Sequence, residues 1–299
     1  MCGIVGLFLK DRRLEPELGA MLAPMLVTMT DRGPDSAGFA VYGAGAAGRR
    51  KLTLRGTAET DFAALAEQLA GESGEPLTLT RRDTHAVLGV PEGSEETILD
   101  KLAEFAPDVA AIGVGNRIEL YKEVGLPLDV ARRFDLAGMA GTHAIGHTRM
   151  ATESAVTTDG AHPFSTGLDQ CLVHNGSLSN HNSVRRELIR DGIRFATEND
   201  TEVAAGYITW RIRQGMNLGQ ALAAALDDLD GFYTFVVGTE TGFGVLRDPI
   251  ACKPAVLAET DSYVAFGTEY RALVDLPGIE SARIFEPEPA RVYFWERPQ

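Results

Sequence analysis

Apolar positions follow two spacings along the chain. The opening stretch MCGIVGLFLK is almost continuously apolar after its second residue, which predicts a buried strand beginning at residue 2. Between residues 14 and 29 the apolar positions recur at helical spacing. Pro16 suits the start of that helix, and Pro24 should kink or interrupt it. From residue 142 onward, short apolar runs end in polar, glycine-rich loops.

The order of these patterns predicts the fold class. Residues 57–125 combine helical and strand patterns and are interpreted as a small α+β lobe inserted into a single domain spanning 1–299. Helices are then predicted at 127–136, 182–194, 200–214 and 217–229, the last capped by Asn217, and strands at 231–239, 242–248, 254–259, 262–268 and 290–296. Strands followed by helices and further strands, with few βαβ units, favour an α+β protein with antiparallel sheets covered by helices.

Composition narrows the classes of function. The 299 residues are 44% hydrophobic and 23% charged, as in an ordinary globular protein, and no apolar run is long enough to predict a membrane span. A net charge of -14 without a basic stripe argues against nucleic acid. Three scattered cysteines indicate neither a disulfide framework nor a metal site. The opening lacks the charged start and long apolar core of a secretory signal, so we expect a cytoplasmic protein.

The cysteine in second place carries the first candidate chemistry. Removal of Met1 would give Cys2 a free α-amine beside its thiol. The unperturbed pKa values of the two groups are close, so the amine can accept the thiol proton and activate the nucleophile. Taken alone, Cys2 would be interpreted as a buried structural cysteine.

Three further motifs complement such a nucleophile. Asn175 and Gly176, at a predicted strand-to-loop corner, offer amide donors for an oxyanion, although Asn-Gly alone signals a hairpin turn. Arg149 suits a carboxylate, although a lone arginine more commonly forms a surface salt bridge. Asp200 could pair with an ammonium group or merely cap a helix. Together these residues predict an α-amino acid substrate with a side-chain amide, glutamine or asparagine.

The motifs MCGIVG, RGPDSAG, GHTRMAT, HNGSLSN, ENDTE and DGFYTFVV…RDPIACKPAVL…AFGTEYRAL occur in the order found in class II glutamine amidotransferases, which the chain resembles over almost its whole length. The resemblance implies a four-layer αββα sandwich of the N-terminal-nucleophile hydrolases and hydrolysis of L-glutamine through a Cys2 thioester. It assigns the oxyanion hole to Asn175 and Gly176, and the α-carboxylate and α-amine to Arg149 and Asp200.

Two more residues gain roles only from the resemblance. Thr152 would be a further polar contact to the substrate, and Arg32 a support beneath the site. Met150 stands where many relatives have an aromatic residue, so the pocket wall should differ while the reaction class stays the same.

The resemblance also implies partners. The chain ends soon after the strand that completes the glutaminase fold, so we expect the ammonia acceptor on another subunit. Within the family the chain most resembles the glutamate-synthase-like branch, in particular the amidotransferase subunit of N-methylglutamate synthase. That likeness implies partners carrying an FMN-binding synthase domain and a glutamate-synthase C-terminal-like domain. This chain should then bind no metal and no cofactor of its own.

Two alternatives remain open from the sequence. The chain could bind glutamine or glutamate as a silent assembly or regulatory subunit, although the presence of Cys2, Asn175 and Gly176 together argues against this. It could instead be an N-terminal-cysteine acylase acting on another amide, against which Arg149 and Asp200 indicate a free amino-acid head group.

Overall fold

The computed structural model describes residues 2–74, 76–151 and 155–297. The strands found there are β1 Gly3–Leu9, β2 Ser36–Tyr42, β3 Arg49–Arg55, β4 Thr78–Arg82, β5 His85–Pro91, β6 Ala110–Gly115, β7 Ile118–Val124, β8 His143–Arg149, β9 Phe164–Gly167, β10 Gln170–Leu178, β11 Gly231–Gly238, β12 Gly242–Arg247, β13 Val256–Glu259, β14 Tyr263–Gly267, β15 Arg283–Phe285 and β16 Val292–Glu296. The α-helices found there are α1 Leu18–Thr28, α2 Phe62–Ser73, α3 Glu95–Phe105, α4 Pro127–Arg133, α5 His181–Arg190, α6 Asp200–Arg213 and α7 Leu218–Asp228.

Two antiparallel sheets face each other at the centre of the molecule. The first has the strand order β15-β13-β14-β1-β8-β2-β7, and the second has the order β16-β12-β11-β10-β9. Ile4 and Phe8 of the first sheet share a buried cluster with Val173 and Phe243 of the second. β1 has strands on both sides and is buried along its length, which explains its continuous apolar run. Burial of apolar surface between the sheets is the main stabilising term in this layer.

Helices cover the outer face of each sheet. Leu22 and Leu26 of α1, with Val130 of α4, pack on the first sheet. The second sheet is covered by α5, α6 and α7, through side chains such as Val203 and Leu222. The layers are therefore helix, sheet, sheet and helix, and the expected αββα sandwich is confirmed.

The inserted lobe has its own sheet, of order β4-β5-β3-β6, and its own core against α2 and α3. Its sheet begins at Arg49 and ends at Gly115, earlier at both ends than the expected 57–125. It begins earlier because 49–55 pairs as β3 with β5 and β6, and it ends earlier because 118–124, expected within the lobe, returns as β7 to the edge of the first sheet. Asp169 anchors this return, because its carboxylate accepts from the backbone amides of Asn116, Arg117 and Ile118.

The structure confirms the predicted cap of α7 but not the predicted interruption of α1. Asn217 caps α7 in a capping box with Gln220, as predicted. Pro24 lies inside α1, so of the expected kink or interruption the interruption does not occur. The short edge strand β15 was not predicted. In the three described ranges, no helix has the length and apolar character needed to cross a membrane.

A pair of glycine substitutions tests the close approach of strand β2 to the segment before β9. A Cβ on Gly38 would lie 2.2 Å from the His162 carbonyl oxygen and 2.8 Å from that of Tyr121. We expect Gly38→Ala to lower the free energy of unfolding by about 1–3 kcal/mol, since backbone must move to admit it.

The control is Gly71→Ala in α2, where a Cβ meets nothing within 4 Å. This change should be neutral or stabilising by about 0.5–1 kcal/mol, because alanine favours helix. Urea unfolding of both variants measures the difference. Equal effects at the two positions would contradict the packing described here.

Candidate active site

A cleft of about 990 Å³ opens where β1 begins, where β8 ends, along the last part of β10 and at the start of α6. Its lining includes six of the seven residues singled out from the sequence: Cys2, Arg32, Arg149, Asn175, Gly176 and Asp200. The seventh, Thr152, lies outside the described residues. The volume lies in the range of small-molecule sites.

Cys2 is held at the cleft by the strand that follows it. Gly3 pairs with Thr148 of β8, which leaves residue 2 beside the end of that strand. Arg32 Nε donates to the Cys2 carbonyl oxygen at 3.1 Å, and Cys2 Sγ lies 3.9 Å from the Met150 carbonyl oxygen. The side chain is partly exposed, so a ligand in the cleft can reach the sulfur.

Two residues supporting this terminus had no role assigned from the sequence. Thr268 Oγ1 accepts from the Ile4 amide at 2.7 Å, and its own amide donates to the Ile4 carbonyl at 2.9 Å. Glu269 forms an ion pair with Arg32, whose hydrogen bond lowers the pKa of that carboxyl group. Both lie in the stretch AFGTEYRAL, but only the three-dimensional pairing of β1 with β14 shows what they contact.

Asn175 and Gly176 lie inside β10 rather than at a strand-to-loop corner, since they pair with Thr234 and Tyr233 of β11. Asn175 Nδ2 donates to the Cys2 carbonyl oxygen at 3.2 Å. Gly176 has φ +142°, and a Cβ there would lie 1.9 Å from the Phe232 carbonyl oxygen. The position therefore requires glycine, both for its backbone conformation and for its close approach to β11.

Arg149 is the last residue of β8 and is mostly buried at the cleft wall. Gly160 lies beside it at the cleft wall, because a Cβ on that glycine would be 3.5 Å from Arg149 Nη1. A guanidinium group in such a wall suits a carboxylate in the cleft.

Asp200 is the first residue of α6, while the cap itself is the preceding Asn199. Asp200 Oδ2 accepts from the Leu178 amide at 3.0 Å, which ties the carboxylate to the end of β10. In the first turn of α6, buried Glu202 accepts from the amides of Ala196 and Thr197, which precede the helix, each at 2.8 Å. The Glu202 carboxylate thereby fixes the loop that precedes α6 and leads to Asp200.

Three buried histidines, His147, His162 and His174, lie together at the cleft, and His162 and His174 are part of its lining. His147 stacks on His162 with ring centroids 4.1 Å apart, and Thr201 Oγ1 lies 3.2 Å from His162 Nε2 and 3.0 Å from His174 Nδ1. Burial lowers the pKa of His147 to about 3 and that of His162 well below its usual range. Burial also lowers the pKa of His174, against the opposing charge of Asp200. All three are neutral at physiological pH.

Among the described residues, no group of three or more His, Cys, Asp or Glu side chains is arranged to hold a metal ion. The cleft lining offers a thiol, amide donors and charged side chains of both signs, Arg149 and Asp200 among them.

A family model and two relatives in sequence point to the same family. Residues 135–293 match the family described as "Glutamine amidotransferase domain". The chain is 66% identical over 297 residues to the glutamine amidotransferase-like protein GlxB of Rhizobium meliloti, covering 99% of this chain and 98% of that one. A relative in Methanothermobacter thermautotrophicus is 33% identical over 318 residues, with 98% and 99% covered.

Among solved structures, the glutamine phosphoribosylpyrophosphate amidotransferase of B. subtilis aligns with a TM-score of 0.60 at 20% identity. The alignment covers 99% of this chain but 47% of that structure, so the chain spans about half its length. This likeness supports the fold.

The neutral histidines predict how stability changes with pH. In the unfolded chain each histidine binds a proton near pH 6.5, whereas the folded state keeps His147, His162 and His174 neutral to lower pH. The unfolded state then binds more protons, so the free energy of unfolding should fall as pH drops from about 6.5 toward 3.

Urea unfolding between pH 7 and about 5 reports on the buried histidines, since the usual carboxyl pKa values lie lower. His85 and His143, whose pKa values burial also lowers, add to the same trend. The variant His147→Gln should show a shallower dependence than the wild type. A free energy of unfolding that is constant or rises on acidification over this interval would contradict the neutral assignment.

Proposed function

The chain belongs to the class II glutamine amidotransferase family, and on that premise we propose that it hydrolyses the side-chain amide of L-glutamine and passes the ammonia to a synthase on a separate subunit. The observation that carries the proposal is the convergence of Cys2, Arg149, Asn175, Gly176 and Asp200 on one cleft. These residues supply a nucleophile, oxyanion donors and a charged group for each end of an amino acid.

Substrate binding uses the two charged side chains. Arg149 pairs with the α-carboxylate of glutamine, and Asp200, fixed by the Leu178 amide, pairs with the α-ammonium group. The substrate side chain then extends toward Cys2. We propose that Thr152 adds a polar contact, while Arg32 acts on the Cys2 backbone rather than on the substrate.

The reaction proceeds by nucleophilic catalysis. After removal of Met1, the α-amine of Cys2 accepts the thiol proton as sulfur attacks the amide carbon. The oxyanion is stabilised by Asn175 Nδ2 and the Gly176 amide. The C–N bond then breaks, the proton held by the Cys2 α-amine passes to the leaving nitrogen, and ammonia departs. Water, deprotonated by the same amine, then attacks the thioester carbon, the C–S bond breaks, and the Cys2 thiolate regains the proton as glutamate leaves.

We propose that the acceptor is a glutamate-synthase-like or N-methylglutamate synthase assembly. Its FMN would be held by a partner with the synthase domain, beside a partner with the glutamate-synthase C-terminal-like domain. The motif order and the two relatives matched over nearly their full length support a separate acceptor subunit.

Substitution of the nucleophile and of an oxyanion donor tests the chemistry. Cys2→Ser should reduce ammonia release from glutamine to background, and Asn175→Ala should reduce it by about 10²–10³-fold, the usual cost of an oxyanion donor. Ammonia is measured with the chain alone and with its synthase partners. Cys252→Ser, at an exposed cysteine outside the cleft lining, is the control and should keep wild-type activity.

Ammonia release that persists in Cys2→Ser would overturn the proposed nucleophile. No release by the wild type in the complete assembly would favour a silent binding subunit.

Substitution of the carboxylate-binding arginine tests the substrate class. Arg149→Ala should raise KM for glutamine roughly 30-fold, or about 2 kcal/mol, because a charged hydrogen-bonding partner is lost. The control substrate is 4-aminobutanamide, which lacks the α-carboxylate and should be hydrolysed equally poorly by wild type and variant. An unchanged KM for glutamine in Arg149→Ala would favour the acylase alternative.

A further inference from the structure

The segment 157–162 lies between the cleft and two strands, β3 and β7. On one side Thr157, Asp159, Gly160 and His162 line the cleft. On the other side, side chains of β3 and β7 bind the segment. β3 belongs to the inserted lobe, and β7 is the edge strand of the first sheet. The segment therefore connects the lobe to the proposed glutamine site.

Lys122 of β7 makes the most buried of these contacts. It is 4% exposed, and its Nζ donates to the carbonyl oxygens of Asp159 at 3.1 Å and Ala161 at 2.9 Å. The ammonium also lies 4.3 Å from the centroid of the Phe164 ring. A buried cation is costly unless it is partnered, so these contacts oppose movement of the segment away from β7.

The charge of Lys122 is kept at neutral pH. Burial lowers its pKa to about 8, nearby Asp159 and Glu202 act in the opposite direction, and Arg55 adds to the lowering. At pH 7 the amine is therefore largely protonated, and its hydrogen bonds to the two carbonyl oxygens are charge-assisted.

Two contacts flank the lysine. Arg55, the last residue of β3 in the lobe, forms an ion pair with the Asp159 carboxylate. Glu123 of β7 accepts a hydrogen bond from the Thr158 hydroxyl group. An exposed ion pair adds little stability by itself, but here it fixes where the segment lies relative to the lobe.

The cleft side of the segment lies beside the proposed substrate-binding arginine. A Cβ on Gly160 would lie 3.5 Å from Arg149 Nη1, so the segment passes beside the Arg149 guanidinium. At the far end of the segment, the His162 carbonyl packs directly against Gly38 of β2. A shift of 157–162 would therefore move the wall beside Arg149.

We propose that Lys122 and Arg55 are positioning residues for glutamine binding, because they hold segment 157–162 against Arg149 from the side of the inserted lobe. The inference rests on the proposed function, since it assigns the α-carboxylate to Arg149. It gives the lobe a physical connection to the substrate site through Arg55.

The test measures glutamine binding without requiring turnover. Cys2 of the full-length chain is alkylated with iodoacetamide at increasing glutamine concentrations, and modification at Cys2 is followed by peptide mass mapping. We expect Lys122→Met to raise the half-protecting glutamine concentration about tenfold or more, since two charge-assisted hydrogen bonds are lost. Without glutamine, the alkylation rate of each variant should stay within about twofold of the wild-type rate, because neither Lys122 nor Arg55 touches Cys2 in the structure.

Two further variants separate positioning from general instability. Arg55→Met should also raise the half-protecting concentration, and Arg55→Lys, which keeps a cation for Asp159, should restore most of the loss. The matched control is Lys51→Met, because Lys51 joins β3 to Glu119 of β7 at 2.6 Å without contacting the segment. Lys51→Met should protect like the wild type.

The outcomes distinguish this inference from the function on which it rests. If glutamine fails to protect Cys2 even in the wild-type chain and in its complex, the proposed function fails. If the wild type is protected but Lys122→Met and Arg55→Met are protected equally well, the positioning role is wrong. A loss of protection in Lys51→Met as large as in Lys122→Met would also overturn it.

Discussion

The placement of β1 between β8 and β14 is the constraint on which the site depends. Chain termini usually fray, yet here the first strand is hydrogen-bonded on both sides and buried on both faces. Its register with β8 sets Gly3 opposite Thr148, so residue 2 lies beside Arg149. Thr268 and Arg32 then hold the backbone of Ile4 and Cys2 from neighbouring elements. These contacts hold the backbone of Cys2, so its thiol has a defined position at the cleft.

The second sheet completes the site because it faces the first across a packed core. β10 brings Asn175 to the Cys2 carbonyl and ends where Asp200 accepts from Leu178. At the cleft, the neutral histidines add bulk and hydrogen-bonding groups without positive charge. Under the proposed reaction they need not act as bases, since the amine of Cys2 takes that role. Among the charged side chains that line the cleft, Arg149 and Asp200 are the two that the proposed reaction assigns to the substrate.

Much of this arrangement could be predicted because each residue type carries a local signal. The αββα layers followed from motif order, and six of the seven candidate residues lie on one cleft. The position of Asn175-Gly176 inside a strand could not be predicted, because Asn-Gly is a common turn signal and only the pairing of β10 with β11 shows that the strand continues through it. Lys122 gave no signal, since a lysine in the stretch IELYKEV is typical of an exposed strand face. Its burial arises from the segment 157–162, which lies far from it in sequence. The bounds of the lobe shifted for a similar reason, because pairing with β2 assigns 118–124 to the main sheet.

The central claim is that the thiol and α-amine of Cys2 act together as the cleaving device. Mass spectrometry of the intact chain, purified from its native host and acid-quenched during reaction with glutamine, tests it most directly. The account predicts a chain without Met1 that carries a γ-glutamyl group bound as a thioester at residue 2. A chain that retains Met1 and still releases ammonia from glutamine, or a γ-glutamyl group on any other residue, would contradict it.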